Sequence, residues 1–204
     1  ECSAGLGRRH ALSAAYQKIT GSLIVQWEGQ DRTVQQLQPH LKERDRATRE
    51  RAWRIGAEAY VAKRAEMAAI FDRMYALRTR IARQAGFADY QAYTFAAKHR
   101  YDYTPDDCAR FHDAVEQVVA PAVERLMVRR RAKLALDVLR PWDLSVDLER
   151  EHPLTPFRTT DEFVGHARQI FANVDPELGR EFALMADEGL LDLESRPGKA
   201  PGGY

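Results

Sequence analysis

At 204 residues the chain has the length of one domain or slightly more, enough to bury a core of its own. Its 31 Lys and Arg stand against 30 Asp and Glu, a formal charge of +1, which argues against the sustained basic field of a nucleic-acid-binding domain and gives no reason to expect a membrane surface as partner. No apolar run approaches the ~18 residues of a membrane span, and Cys2 and Cys108 form no C-x-x-C pair, so a reducing, cytoplasmic setting is the expectation.

Residues Arg8 to Lys18 carry Ala11, Leu12, Ala15 and Ile19 at helical spacing. The period then changes: Ser22 to Trp27 is β-branched and aromatic, Glu28-Gly29-Gln30 supplies a turn, and Arg32-Thr33-Val34 returns, which predicts a small hairpin over 20–34. Thr33 is placed to cap a short helix carrying Val34, Leu37 and Leu41. From Asp45 to about Ala85 there is no proline and one glycine, Gly56, before the stop at Gly86. Trp53, Gly56, Tyr60, Met67, Ile70, Phe71, Met74, Leu77 and Ile81 recur in steps of three and four. That spacing predicts one long helix over 45–85 with an apolar stripe that its neighbours must cover.

Phe87 to Tyr103 is dense in aromatics, with Tyr90, Tyr93 and Ala97 on one face of a further helix. Thr104 as N-cap, Pro105 in the first helical position and Asp106-Asp107 in the first turn start a helix over 104–136. Its stripe is Cys108, Phe111, Val115, Val118, Ala122 and Leu126, and Pro121 predicts a kink. Arg129-Arg130-Arg131 reads as a solvated face of that helix rather than a phosphate patch. Thr159 with Glu162 predicts a capping box for a helix burying Phe163, Ala167, Ile170 and Phe171. Asp175-Pro176 starts another helix, burying Leu178, Phe182 and Met185 and stopping at Gly189. Residues 190–204, LLDLESRPGKAPGGY, exclude a helix and predict a shaped loop in which Gly202-Gly203 approach another chain closely. The fold class is therefore mainly α, a long-helix bundle with one small hairpin near the N-terminus.

Complete catalytic motifs are absent. His10, His40, His99, His112, His152 and His166 form no H-E-x-x-H, the pattern that sets two zinc ligands and a base on one helical face. His112 with Glu116 and Glu162 with His166 have the i, i+4 spacing of surface pairs. Glu149-x-x-His152 has di-iron spacing but lies in a proline-bearing loop with no second copy. Gly198-Lys199 lacks the earlier glycine and the following Ser or Thr of a phosphate loop, and no G-x-S-x-G is present.

Four blocks carry a resemblance. LLDLESRPGKAPGGY (190–204), RTRIARQAGFADYQAY (78–93), YDYTPDDCARFHDAVEQVVAP (101–121) and RPWDLSVD (140–147) occur in the order found upstream of the zinc site in the oligoendopeptidase F branch of the thimet-oligopeptidase-like zinc metallopeptidases. The chain resembles that family from about Ser22 to Tyr204. The resemblance implies a place within a larger channel-type metallopeptidase fold, short peptides as substrates, and a zinc held by H-E-x-x-H and a later glutamate. It carries no zinc ligand or catalytic residue onto this sequence, which starts at Glu1 and stops within what reads as a loop, as a piece of a longer protein does. Zinc is thus expected in the full-length protein and none on this chain alone, which is expected to be inactive. The resemblance places Gly202, Gly203 and Tyr204 near the substrate cleft, where a plain turn into a strand is the alternative. A non-enzymatic helical interaction module, binding through the aromatic 87–103 region, is the competing reading of the whole.

Overall fold

The computed structural model describes residues 2–150 and 152–202, with side chains from Gly7 onward. The first helix, α1 (Cys2–Gly21), leads into a hairpin of β1 (Ile24–Trp27) and β2 (Gln30–Thr33). The strands pair antiparallel from Ile24 with Thr33 to Trp27 with Gln30, and the two-residue turn holds Glu28 and Gly29 at positive φ. Val25 and Trp27 point inward from one face of β1, as the period of two requires. They meet Leu23, Val34, Leu37 and Ala52 in one core cluster.

Thr33 ends the hairpin and caps the next element, a 3₁₀ helix over Val34–Lys42. Its hydroxyl accepts from Gln36 N while the Gln36 side chain accepts from Thr33 N, closing a capping box. Asp45 then caps α2 (Arg46–Ala62), accepting from Thr48 N at 2.8 Å. The single helix predicted over 45–85 is interrupted: α2 ends at Ala62 and α3 runs Arg64–Gln84. Lys63 between them sits at φ −99°, ψ 6°, with its N–H turned to Tyr60 O. Neither glycine nor proline marks the break, so residue types alone do not signal it. Helix α3 packs along α1 around Leu12, Met74, Leu77 and Ile81, a second cluster separate from the first.

Gly86, at φ 81°, stops α3 in a Schellman arrangement, with Phe87 N bonded to Ala82 O and Gly86 N to Arg83 O. Helix α4 (Tyr90–Ala97) ends the same way on His99, at φ 54°. Next come α5 (Pro105–Ala114), a π turn (Val115–Val119) and α6 (Ala120–Lys133) without a gap. Pro121 has no N–H to give the preceding turn. The ladder widens just before it, Ala120 N reaching Val115 O, so the predicted disturbance takes the form of a π turn. Helix α6 ends on Ala135, at φ 52° without being glycine.

A buried ionic centre ties these parts together. Asp143, fully buried at the end of a short 3₁₀ turn (Pro141–Asp143), accepts from Arg46 Nε and Nη2 at 3.0 and 2.8 Å, from Arg49 Nη2 at 3.0 Å and from Arg140 N at 2.9 Å. The grip of Arg46, followed by the Arg140 N–H and Arg49, outweighs burial and lowers the Asp143 carboxyl to about 2. Arg49, itself 2% exposed, uses its other donors on the carbonyls of Trp142, Glu43 and Arg44. Arg130 donates to the carbonyls of Asp143 and Val146, so one member of the arginine run clips α6 onto this loop.

Thr159 caps α7 (Thr160–Val174) by accepting from Glu162 N, but the Glu162 carboxylate reaches one residue further back, to Arg158 N. The predicted capping box is therefore half formed. Helix α8 (Pro176–Asp187) folds back on α7, with Phe171 and Phe182 stacked at 4.9 Å, and ends on Gly189. The stripes predicted to be buried on these later helices are formed but uncovered: Phe111 and Val118 are each 67% exposed and Ile170 60%. The same holds for Phe71 on α3, at 65%. The chain exposes 14940 Å², where a compact monomer of 23.3 kDa exposes about 9,700 Å². No helix is long and apolar enough to cross a membrane among the described residues.

Candidate functional site

After Gly189 the chain returns along residues 190–202 to the end of α1 and the start of the 3₁₀ helix. Pro197 and Gly198 take the central positions of a turn closed by Lys199 N to Arg196 O at 3.2 Å, and Gly198 at φ 85° gives the type II geometry. Gly198 N donates to Gly21 O at 2.8 Å. A Cβ on Gly21 would lie 2.8 Å from Lys199 O, so the close backbone approach that this loop makes falls at Gly21, which the sequence does not single out.

The Thr33–Gln36 capping box has a second task. Thr33 Oγ1 also meets Ser195 Oγ at 2.9 Å, and Gln36 Nε2 donates to Ser195 O at 3.2 Å. One pair of side chains thus starts a helix and holds a loop 160 residues later in sequence, roughly counted. Inside the loop, Lys199 Nζ donates to Glu194 O at 2.9 Å and Asp192 Oδ1 at 3.2 Å. Arg196 grips the same carboxylate, with Nη2 to Oδ2 at 2.8 Å, and Arg196 first and Lys199 second hold Asp192 far below the usual carboxylate range. The amine that a phosphate loop would aim at a ligand is here used to shape its own loop.

A small cavity of about 110 Å³ lies on this loop, lined in part by Gln35, Ser195, Lys199 and Gly202. Gly202 has φ 117°, a conformation closed to L side chains, and open space where a Cβ would stand. Gly203 and Tyr204 lie outside the described residues. Next to it, Pro201 borders a larger open cleft of about 560 Å³ between α1 and α3, walled by Tyr16, Tyr60, Met67, Phe71 and Arg78 among others.

The histidines do not gather. His40 pairs with Glu43 through Nδ1 at 2.5 Å and lies against the Trp27 ring at 4.6 Å. Glu149 pairs with Lys133, and Glu162 serves Arg158 N. No group of three or more His, Cys, Asp or Glu is arranged to hold a metal ion among the described residues, so the side chains present do not fit a zinc site.

Residues 40–204 match the family described as peptidase family M3. Among solved structures, a protein of Bacillus anthracis str. Ames assigned to oligoendopeptidase F superposes with a TM-score of 0.91 at 27% identity, over 100% of this chain and 37% of that one. A second structure assigned to oligoendopeptidase F gives 0.91 at 29%, over 98% and 35%; PZ peptidase A, solved with an inhibitor, gives 0.92 at 27%, over 100% and 36%. The chain spans little more than a third of the length of these matched chains. Among curated proteins none matches significantly.

Proposed function

Because this chain belongs to peptidase family M3, we propose that it forms a helical wall of the substrate channel in a zinc-dependent oligoendopeptidase that hydrolyses short peptides in the cytoplasm. The observation that carries this reading is the superposition of the whole chain, at 27% identity, on PZ peptidase A, a structure solved with an inhibitor. The large exposed surface supports it, since the apolar stripes of α5 to α8 need a cover that this chain does not supply. Zinc and the residues that hold it belong to other parts of such an enzyme, C-terminal to this chain. None of the chemistry is assigned to a side chain here. What these residues contribute is shape: the loop held by Thr33, Gln36 and Gly21 sets where Gly202 stands, and the family reading gives Gly202, Gly203 and Tyr204 a place near the substrate cleft.

The test is hydrolysis of quenched fluorescent peptides by the protein made from its complete reading frame, with and without a chelator. Chelator-sensitive cleavage by that protein, and none by residues 1–204 alone, is the expected result. Zinc-dependent cleavage by residues 1–204 would overturn the assignment of chemistry to other parts. A reading frame without H-E-x-x-H beyond Tyr204 would favour a non-enzymatic interaction module instead, for which the 73% exposure of Tyr101 in the aromatic segment is the supporting observation.

A further inference from the structure

The loop over 190–202 is placed by polar contacts more than by packing. It forms neither helix nor strand, and Leu190 and Leu193 on it stay exposed. Its first hold is Ser195, which meets both halves of the capping box at the start of the 3₁₀ helix. Thr33, 3% exposed, accepts from Gln36 N, which leaves its own proton for Ser195 Oγ at 2.9 Å. Gln36 uses its amide at both ends: Oε1 accepts from Thr33 N at 2.9 Å and Nε2 donates to Ser195 O at 3.2 Å. A glutamate would close the same capping box, but only a glutamine can also donate to the loop.

The second hold is the Gly198 N–H on Gly21 O at 2.8 Å. Thr33 and Gln36 flank Val34 and Leu37 of the hairpin core, so the Ser195 latch fixes the loop to a well-packed part of the chain. Ser195 and Gly202 wall the same cavity of about 110 Å³, so a shift of one is felt by the other. All of these contacts lie within the chain and do not depend on what covers its apolar stripes.

From this we infer that Ser195, with Thr33 and Gln36, is a positioning residue for peptide binding: the latch holds the loop, before peptide arrives, where Gly202 meets the substrate. The inference rests on the peptidase reading and adds to it three positioning residues that take no part in the chemistry. A loop that leaves its place must be brought back when peptide binds. Apparent affinity then falls with the fraction of molecules in which the loop is in place, while the filled site reacts as before. Loss of the latch therefore raises KM and leaves kcat alone.

The experiment uses the protein made from its complete reading frame and quenched fluorescent peptides. Ser195→Ala removes the hydroxyl contact and leaves the capping box intact; Gln36→Glu keeps the box and removes the donor to Ser195 O. Each should raise KM by roughly threefold to tenfold, the contribution of one hydrogen bond, and the double variant by more than either, with kcat held within about twofold. Ser195→Thr, which keeps the hydroxyl, should recover most of the loss. Hydrogen exchange of the Gly198 amide in the free protein should quicken wherever KM rises. The retained kcat shows that the variants fold. Unchanged KM in both single variants, a rise in KM without faster exchange at Gly198, or an equal rise in Ser195→Thr would overturn the inference. With no turnover by the wild type the peptidase reading falls, and anisotropy of a labelled peptide then decides the inference: weaker binding by both variants upholds it, and equal binding or none overturns it. Turnover with KM unmoved in the variants sinks the latch assignment alone.

Discussion

The region built from the hairpin, the 3₁₀ helix, α2 and the 140–146 loop differs sharply from the region built from α5 to α8, although both carry apolar residues at regular spacing. In the first, Leu37 is 2% exposed, Ala52 2%, Val146 1% and Asp143 0%, and buried Arg49 with half-buried Arg130 holds carbonyls of the 43–44 and 142–146 segments. In the second, Phe111, Val118, Leu126 and Ile170 stand more than half exposed on well-formed helices. The helices form because their local signals suffice: Thr104, Asp107 and Pro105 start α5, and Asp175 with Pro176 starts α8. Periodicity therefore creates a stripe in either region, but only a neighbour at the right height buries it, and the contrast separates what this chain stabilises by itself from what it offers to another surface.

The largest effect is expected at the ionic centre. Asp143→Asn leaves Arg49 buried without its counter-charge and should cost about 3–5 kcal/mol, a large share of a typical domain's stability. Urea denaturation, with hydrogen exchange of the amides around 43–49 and 140–146, measures it; a loss under 1 kcal/mol would show that the centre is not what holds this region.

Leu37→Ala and Ile81→Ala should each cost about 2–5 kcal/mol, because each removes a fully enclosed side chain. Phe111→Ala in residues 1–204 should cost under about 0.5 kcal/mol, and clearly more in the complete protein. An equal cost in both would mean that nothing covers α5, and the contrast between the two regions would then be intrinsic to the fold.

A pH series probes the same centre without mutation. Asp143 stays ionised in the folded chain down to about 2, below its ordinary 3.8, so the unfolded chain takes up the proton first as pH falls. Its contribution, on the order of 2 kcal/mol, is complete above about pH 4 and disappears as pH falls through about 2. Denaturation midpoints should fall between pH 5 and pH 2 in the wild type, and less in Asp143→Asn. Identical slopes for the two proteins would reject this assignment.

A small effect of opposite sign is expected at Ala135, which closes α6 in the left-handed region at φ 52°. Ala135→Gly removes the Cβ strain there and should stabilise by about 0.5–1 kcal/mol, read as a raised melting temperature. Destabilisation would indicate that the Ala135 side chain makes a contact worth more than the strain.

Much of the fold was legible because its signals are local. The hairpin follows from the change of period at Ser22 and from Glu28-Gly29, the stop of α3 from Gly86, and the starts of α5 and α8 from capping residues within one turn. The break at Lys63 was not legible, since lysine carries no bar to helix and the bridge conformation has no marker in residue type. The candidate site was legible only as a loop: the glycines and prolines of 190–202 announce a turn, but nothing in Thr33, Gln36 or Gly21 announces that they would hold it.

By itself, the sequence determined most of the starts and stops of helices and strands, the break at Lys63 excepted, because those choices depend on backbone groups within about four residues and on caps that satisfy them. Its four ordered blocks also indicated the family, which the match over residues 40–204 establishes. Only the tertiary structure decided which stripes are covered and that Arg49 and Asp143 meet across 94 residues. Those outcomes depend on distances between segments far apart in the chain, which periodicity and capping leave free.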